Sequence, residues 1–453
     1  MNELFEKAPI KKVYFKISLP VVMGMLASMI FSLADTFFVA QTGNTNLVAG
    51  ITVCTPMFMF MMALGDIFGL GGSSIISRLF GQKNYELSRR ISAVCFYYSL
   101  ILGAVVAILL LVFEKPILHL LGATDATYSY AAAFYRVFVI GAPLIIAELA
   151  PSNLIRTEGL AKQSMQAIVF GTALALILDP IFLFIFKWGA AGVALANILG
   201  YALEFGFLIY YTHRDCKYIT MDIKEAHISF KDFKEILAIG IPGSVTNLMQ
   251  SFGMALLNNF LAKYGATQVA AMGITQKIYL IVMLVMVGFA FGAQPLIGYN
   301  YGARKAKRFK EALHFDLLIE IVYSVVLSII LMIFAPLLVK FFMDKPEIIT
   351  IGAYMTRACL STTPFIGAIL VFTTVFQSAG KAWSAFIMAL SRQGVIYFIA
   401  MLVCAHLFGL HGVVWAQPVA DVITFAIGFA LYQGEFRKWI KQAEFEAEQK
   451  GID

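Results

Sequence analysis

Twelve apolar stretches, each about 20 residues or longer, run along the chain with short polar breaks between them. In rough bounds they are 15–40, 47–72, 91–113, 129–151, 165–186, 190–212, 236–262, 268–298, 313–340, 352–376, 383–408 and 412–434. A helix of roughly 20 mostly apolar residues crosses the ~30 Å hydrocarbon core of a bilayer. The pattern therefore predicts twelve transmembrane helices. The tail 435–453 is charged and reads as an interfacial or soluble helix. The apolar run after the basic N-terminus is too long for a cleaved signal peptide, so the first span is expected to stay as an anchor.

The twelve stretches fall into two sets of six. Landmarks repeat at an offset near 220: Leu19-Pro20 with Ile241-Pro242, and Gly43-Asn44-Thr45 with Gly265-Ala266-Thr267. Gly71 and Phe80-Gly81 match Gly292 and Tyr301-Gly302, Gly159 matches Gly380, and Gly189 with Gly192-Val193 matches Gly409 with Gly412-Val413. Six spans per set give both halves the same orientation, the parallel-repeat arrangement of several transporter folds. The expected organisation is a lobe over 1–212, an inter-lobe loop over 213–235, a second lobe over 236–434 and a tail over 435–453.

Composition agrees with a membrane location. The chain is 60% hydrophobic and 13% charged, against about 25% charged in ordinary soluble domains. With the N-terminus inside, Lys and Arg favour the inner loops by about five to one, which by the positive-inside rule makes both termini cytoplasmic. A multi-pass protein of the bacterial plasma (inner) membrane is expected, read as a monomer among lipid, with no nucleic-acid partner. The five cysteines have no metal-ligand or disulfide spacing.

Ionisable residues inside membrane spans are costly and mark function first. Those here are Asp35, Asp66, Arg136, Glu148, Asp179, Glu204, Lys277, Asp316, Glu320, Arg357, Arg392 and Asp421. Asp316, Glu320 and Arg357 stand near span ends and are expected to snorkel. Arg392 and Asp421, mid-span on neighbouring helices, are expected to pair. Asp66 and Glu148 are either structural or line a route from the cytoplasm.

Asp35 and Asp179 lie at a common depth, roughly 10 Å below the outer surface at ~1.5 Å per residue, and Asn197 lies about as deep. No basic residue shares that depth on those helices. Such a pair could bind a proton or Na⁺; the alternative is that each bonds separately. Pro20 breaks the first helix's hydrogen-bond ladder and is either a bend point or a simple kink. Met57 and Met61 are candidate cavity residues because methionine surfaces adapt to varied ligands, although methionine is also ordinary filler. Tyr135, Arg136 and Asn153 join them as cavity candidates.

On these residues the chain resembles the multidrug and toxic compound extrusion (MATE) transporters over its whole length. The marks are Leu19-Pro20, Leu33-Ala34-Asp35-Thr36-Phe37-Phe38-Val39, Gly43, Arg156-Thr157-Glu158-Gly159, Leu178-Asp179-Pro180-Ile181-Phe182 and Gly189-Ala190-Ala191-Gly192-Val193-Ala194. The resemblance implies an all-α protein of two six-helix lobes, exporting organic cations or amphipathic drugs against an inward H⁺ or Na⁺ gradient. It needs no cofactor beyond the coupling ion. Within the family the chain resembles the branch of the DinF and MepA proteins, whose cation site uses a first-helix and a fifth-helix Asp. Asp35 and Asp179 match those, Asn197 matches a further polar position, and Pro20 matches the bending proline. A position often Asn in archaeal members is Ala175 here. The other main branch uses acids on the seventh and tenth helices, and none occurs in 247–259 or 362–377.

The alternative within the wider superfamily is a flippase for lipid-linked precursors, whose anionic substrate would call for several cleft cations. An enzyme would need a grouped catalytic set. The histidines at 119, 213, 227, 314, 406 and 411 are scattered.

Overall fold

Hydrocarbon offers no water to a backbone, so spanning segments must close their hydrogen bonds internally. The apolar runs accordingly fold as helices. In the computed structural model, which describes residues 2–449, every long element is helical. Eight helices are long and apolar enough to cross a membrane, among them Ile10–Gln41, Thr45–Gly81, Tyr85–Val112, Ala161–Ile185 and Gly189–Asp215. Two bent pairs add two spans: Tyr128–Ile140 with Ala142–Thr157 (49°), and Pro346–Leu360 with Thr363–Ser378 (42°).

The remaining two crossings come from one further long helix and from a kink. Phe230–Ala262 is a helix of 33 residues, about 50 Å long at 1.5 Å per residue. The Ala382–Glu446 stretch is broken at Gly409, whose φ of 57° and ψ of −131° interrupt the helix. These make the twelve spans of the fold, numbered here in chain order.

The repeat seen in the sequence is a repeat of backbone conformation. Gly43 and Gly265 have φ of 66° and 109°, Gly159 and Gly380 have 84° and 75°, and Gly189 and Gly409 have 58° and 57°. Only glycine enters this region without steric cost, which is why these landmarks stand out. Lys83 and Arg304 keep the same left-handed turn (61° and 55°) without being glycine.

Two compact units result. One holds Met23–Ser244, the other Asn2–Val22 and Val245–Asp453. Their borders differ from the lobes drawn on the sequence. The first helix changes unit just after Pro20, and the seventh changes just after Pro242.

Glycines show how each crossing half docks. Within the first unit, a Cβ on Gly240 of the seventh helix would lie 1.9 Å from the Ile67 carbonyl oxygen, and one on Gly71 would lie 2.4 Å from that of Ile236. Within the second, a Cβ on Gly292 would lie 2.5 Å from Ser18 Cα. Backbones meet at these points, so no side chain fits. Both helices run unbroken through their prolines.

Candidate functional site

The fifth and sixth spans touch backbone to backbone. A Cβ on Gly200 would lie 2.8 Å from the Gly171 carbonyl oxygen and 2.9 Å from Ala175 Cβ. This antiparallel crossing fixes what stands two turns further along the fifth span, namely Asp179. It is 1% exposed and is followed by Pro180 and a π-helical turn over Ile181–Ile185. Proline has no N–H to donate, so the ladder loosens there, and π turns gather at functional positions.

Asp35, on the first span, meets the Asp179 carboxyl and the Asn197 amide. The three residues named from their common depth are thus brought together. Asn197 also donates Nδ2–H to the Val193 carbonyl at 2.9 Å, which anchors its amide. Among the described residues no donor reaches Asp35 Oδ1 or either Asp179 oxygen. Two carboxyls facing each other without a donor or a cation are stable only when a proton or a cation is shared between them.

A second acidic pair lies in the same unit. Glu148 of the fourth span and Glu204 of the sixth face each other, both buried, with Asp66 and Arg156 acting on Glu148. Among the described residues Glu148 Oε2 has no hydrogen-bond partner. Tyr201, between Asn197 and Glu204 in sequence, is close enough to feel Asp35, Glu148 and Glu204 alike. The sequence reading did not join Glu148 to Glu204. The signal was there: Glu204 is two helical turns from Asn197, hence on the same face.

The other candidates occupy varied places. Met57, Met61 and Tyr135 sit in one packed apolar cluster with Ile145 and Ile146, and the Tyr135 hydroxyl donates to the Leu110 carbonyl at 2.7 Å. Asn153 is buried, donating to Leu149 O and accepting from Arg156. Arg136 points to the rim, where Nε and Nη2 each reach Glu114 at 2.8 Å. That bond holds the Glu114 carboxyl below the usual glutamate range.

Arg392 and Asp421 do pair, at 3.2 Å. Asp316 and Glu320 correct the sequence reading. Expected to snorkel, they are fully buried, because their face of the ninth helix turns toward Tyr14 and the tenth span rather than toward the span end.

Glu158, in the Arg156–Gly159 motif, has a role that no span pattern indicated. Its carboxylate accepts the backbone N–H groups of Lys217, Tyr218 and Ile219 at 2.6–3.0 Å. With Ser92 bonding Thr220 and Tyr97 bonding Met221 O, it straps the segment after the sixth span onto the first unit.

The MatE family model matches the chain twice, over residues 20–181 and 242–403, each match beginning at one of the paired prolines. A multidrug export protein MepA of Staphylococcus saprophyticus is 30% identical over 419 residues, covering 92% of both chains. The MepA of Staphylococcus haemolyticus is 28% identical over 441 residues, covering 97% of both. Among solved structures, that of a MATE protein in complex with MaD3S has a TM-score of 0.90 at 25% identity, covering 98% of both chains.

Proposed function

The chain belongs to the MatE family of transporters, and on that premise we propose that it is a secondary antiporter exporting organic cations or amphipathic drugs. The single observation that carries this reading is the Asp35–Asp179 pair, with Asp179 buried, Asp35 half-buried and both short of donors. Such a pair holds a proton or Na⁺ in one state and a cationic substrate's charge in another. An antiporter needs that exchange, because a ligand binding both states equally shifts neither.

Residue roles follow from placement. Asp35 and Asp179 take the coupling ion, and Asn197 orients Asp35. Tyr201 lies between this pair and Glu148–Glu204, which suits a stepwise passage for the ion across the first unit. Pro20, two residues from the point where the first helix changes unit, is the bend that lets Asp35 move with its ion. Both termini face the cytoplasm of a bacterium, by the Lys and Arg asymmetry. Export is favoured over flipping of lipid-linked precursors because the relatives are multidrug export proteins.

The test is gradient-driven dye export from proteoliposomes, normalised to inserted protein. Asp35→Asn and Asp179→Asn should each abolish it, and the double variant should be little worse than either, as for residues acting as a unit. Replacing the proton gradient by a Na⁺ gradient identifies the ion. Wild-type export by both single variants would overturn the assignment.

A further inference from the structure

The second unit contains an acidic site of its own that the export mechanism above does not use. Tyr14 Oη donates to Asp316 Oδ1 at 2.8 Å. Asp316 Oδ2, both Glu320 oxygens and Ser18 Oγ have no hydrogen-bond partner among the described residues, and all three of these side chains are fully buried. Tyr14 and Asp316 meet directly, and the Ser18 hydroxyl lies beside Gly292 of the eighth span. Ser18 is one turn beyond Tyr14 on the first span, and Glu320 is one turn beyond Asp316 on the ninth. Tyr14 feels both carboxyls.

The immediate surroundings are aromatic and apolar. Phe289 of the eighth span stacks on Tyr14, with centroids 6.1 Å apart, and the Ala290 main chain lies against the Glu320 carboxyl. Tyr323 faces Glu320 from its own helix, and Gly367 of the tenth span meets the Glu320 Cβ. Among the described residues no lysine or arginine acts on either carboxyl. One turn nearer the start of both helices, a surface cavity of about 370 Å³ is bordered by Lys11, Lys310, Glu311 and His314. Its lining includes His314 and Phe315, within a turn of Asp316.

We propose that Tyr14, Ser18, Asp316 and Glu320 form a second proton-binding site, whose proton holds the N-terminal half of the first span against the ninth. With a proton on the pair, one carboxyl donates and the other accepts, and Tyr14 and Ser18 complete the bonding. When the last proton leaves to water, two like charges one turn apart lie in an apolar setting. The first span is the movable wall. It separates from the ninth, admits water and relieves the repulsion. This half of the helix belongs to the second unit while Asp35 rides on the other half. The site therefore sets the position of the segment leading into Pro20.

The experiment reads protonated carboxyls directly. Infrared difference spectra, acid minus alkaline, are recorded for the full chain in lipid, in H₂O and D₂O. The D35N/D179N protein should keep a titrating, deuterium-sensitive carboxyl band that adding E320Q removes, and Y14F should shift its midpoint. Because the Asp35–Asp179 pair is silenced in every infrared arm, failure of the export reading leaves this result unaffected.

A second measurement covers a variant that folds poorly. Spin labels on F15C/L318C, at exposed positions of the two helices, should separate at alkaline pH in the otherwise native chain and stay together with E320Q. A band unaffected by both E320Q and D316N, or a label distance independent of pH, would overturn the proposal. Loss of the band on adding sodium at constant pH would also overturn it, since the site would then take a metal cation.

Discussion

Asp421→Asn should destabilise the second unit by about 3 kcal/mol while leaving the export chemistry intact. Asp421 is fully buried and accepts from Arg392 Nε (3.2 Å), Gln417 Nε2 (2.9 Å) and Thr362 Oγ1 (3.1 Å). Arg392 keeps only the Tyr279 hydroxyl, at 2.7 Å, and a weak contact to the Met283 sulfur. Removing one partner of a buried pair costs about 3–5 kcal/mol, since the other charge is stranded. Asparagine retains a carbonyl for Gln417 or Thr362, which puts the expected loss at the low end of that range.

Arg392→Met should cost less, about 2 kcal/mol, because two neutral donors still serve Asp421. The double variant R392M/D421L should return to within about 1 kcal/mol of wild type, as buried pairs exchanged for apolar residues often do. At roughly 2–4 °C per kcal/mol for a unit of this size, D421N should melt roughly 6–12 °C lower. Thermal unfolding in detergent with bound lipid measures this, and dye export is normalised to folded protein. A D421N protein melting with wild type, or a double variant worse than either single one, would refute the idea that the pair is a mutual neutralisation.

Gly240→Ala should lower stability by about 3 kcal/mol or block folding, because the new methyl meets the Ile67 carbonyl; Gly206→Ala, with open space around it, is the control, and melting compares the two. Glu158→Gln should raise hydrogen exchange at Lys217, Tyr218 and Ile219, whose N–H groups it holds, and unchanged protection there would sink the strap. The Arg136–Glu114 bond lowers the Glu114 carboxyl's proton affinity, so its small contribution is complete above the ordinary glutamate range. It is lost as pH falls through the lowered value. With Arg136 60% exposed, the effect should be slight and should vanish in high salt, as a melting series in pH and salt can check.

The sequence alone determined the solvent and the repeat. Hydrocarbon forces long apolar runs into helices, so the spans could be read by length, and left-handed turns favour glycine, so the repeat left glycine marks from Gly43 to Gly409. It also named Asp35, Asp179 and Asn197, because depth along a helix is simply a count of residues. Rotation about the helix axis is different. Which face of a span turns inward depends on its neighbours, and in lipid both faces are apolar, so no polar stripe reports it. That is why Asp316 and Glu320 read as snorkelling residues yet lie buried beside Tyr14, and why Glu148 and Glu204 read as separate. The change of unit after Pro20 and Pro242 is likewise a tertiary fact. It rests on backbone contacts at Gly71, Gly240 and Gly292, between segments more than 150 residues apart, and no local pattern encodes a partner at that distance.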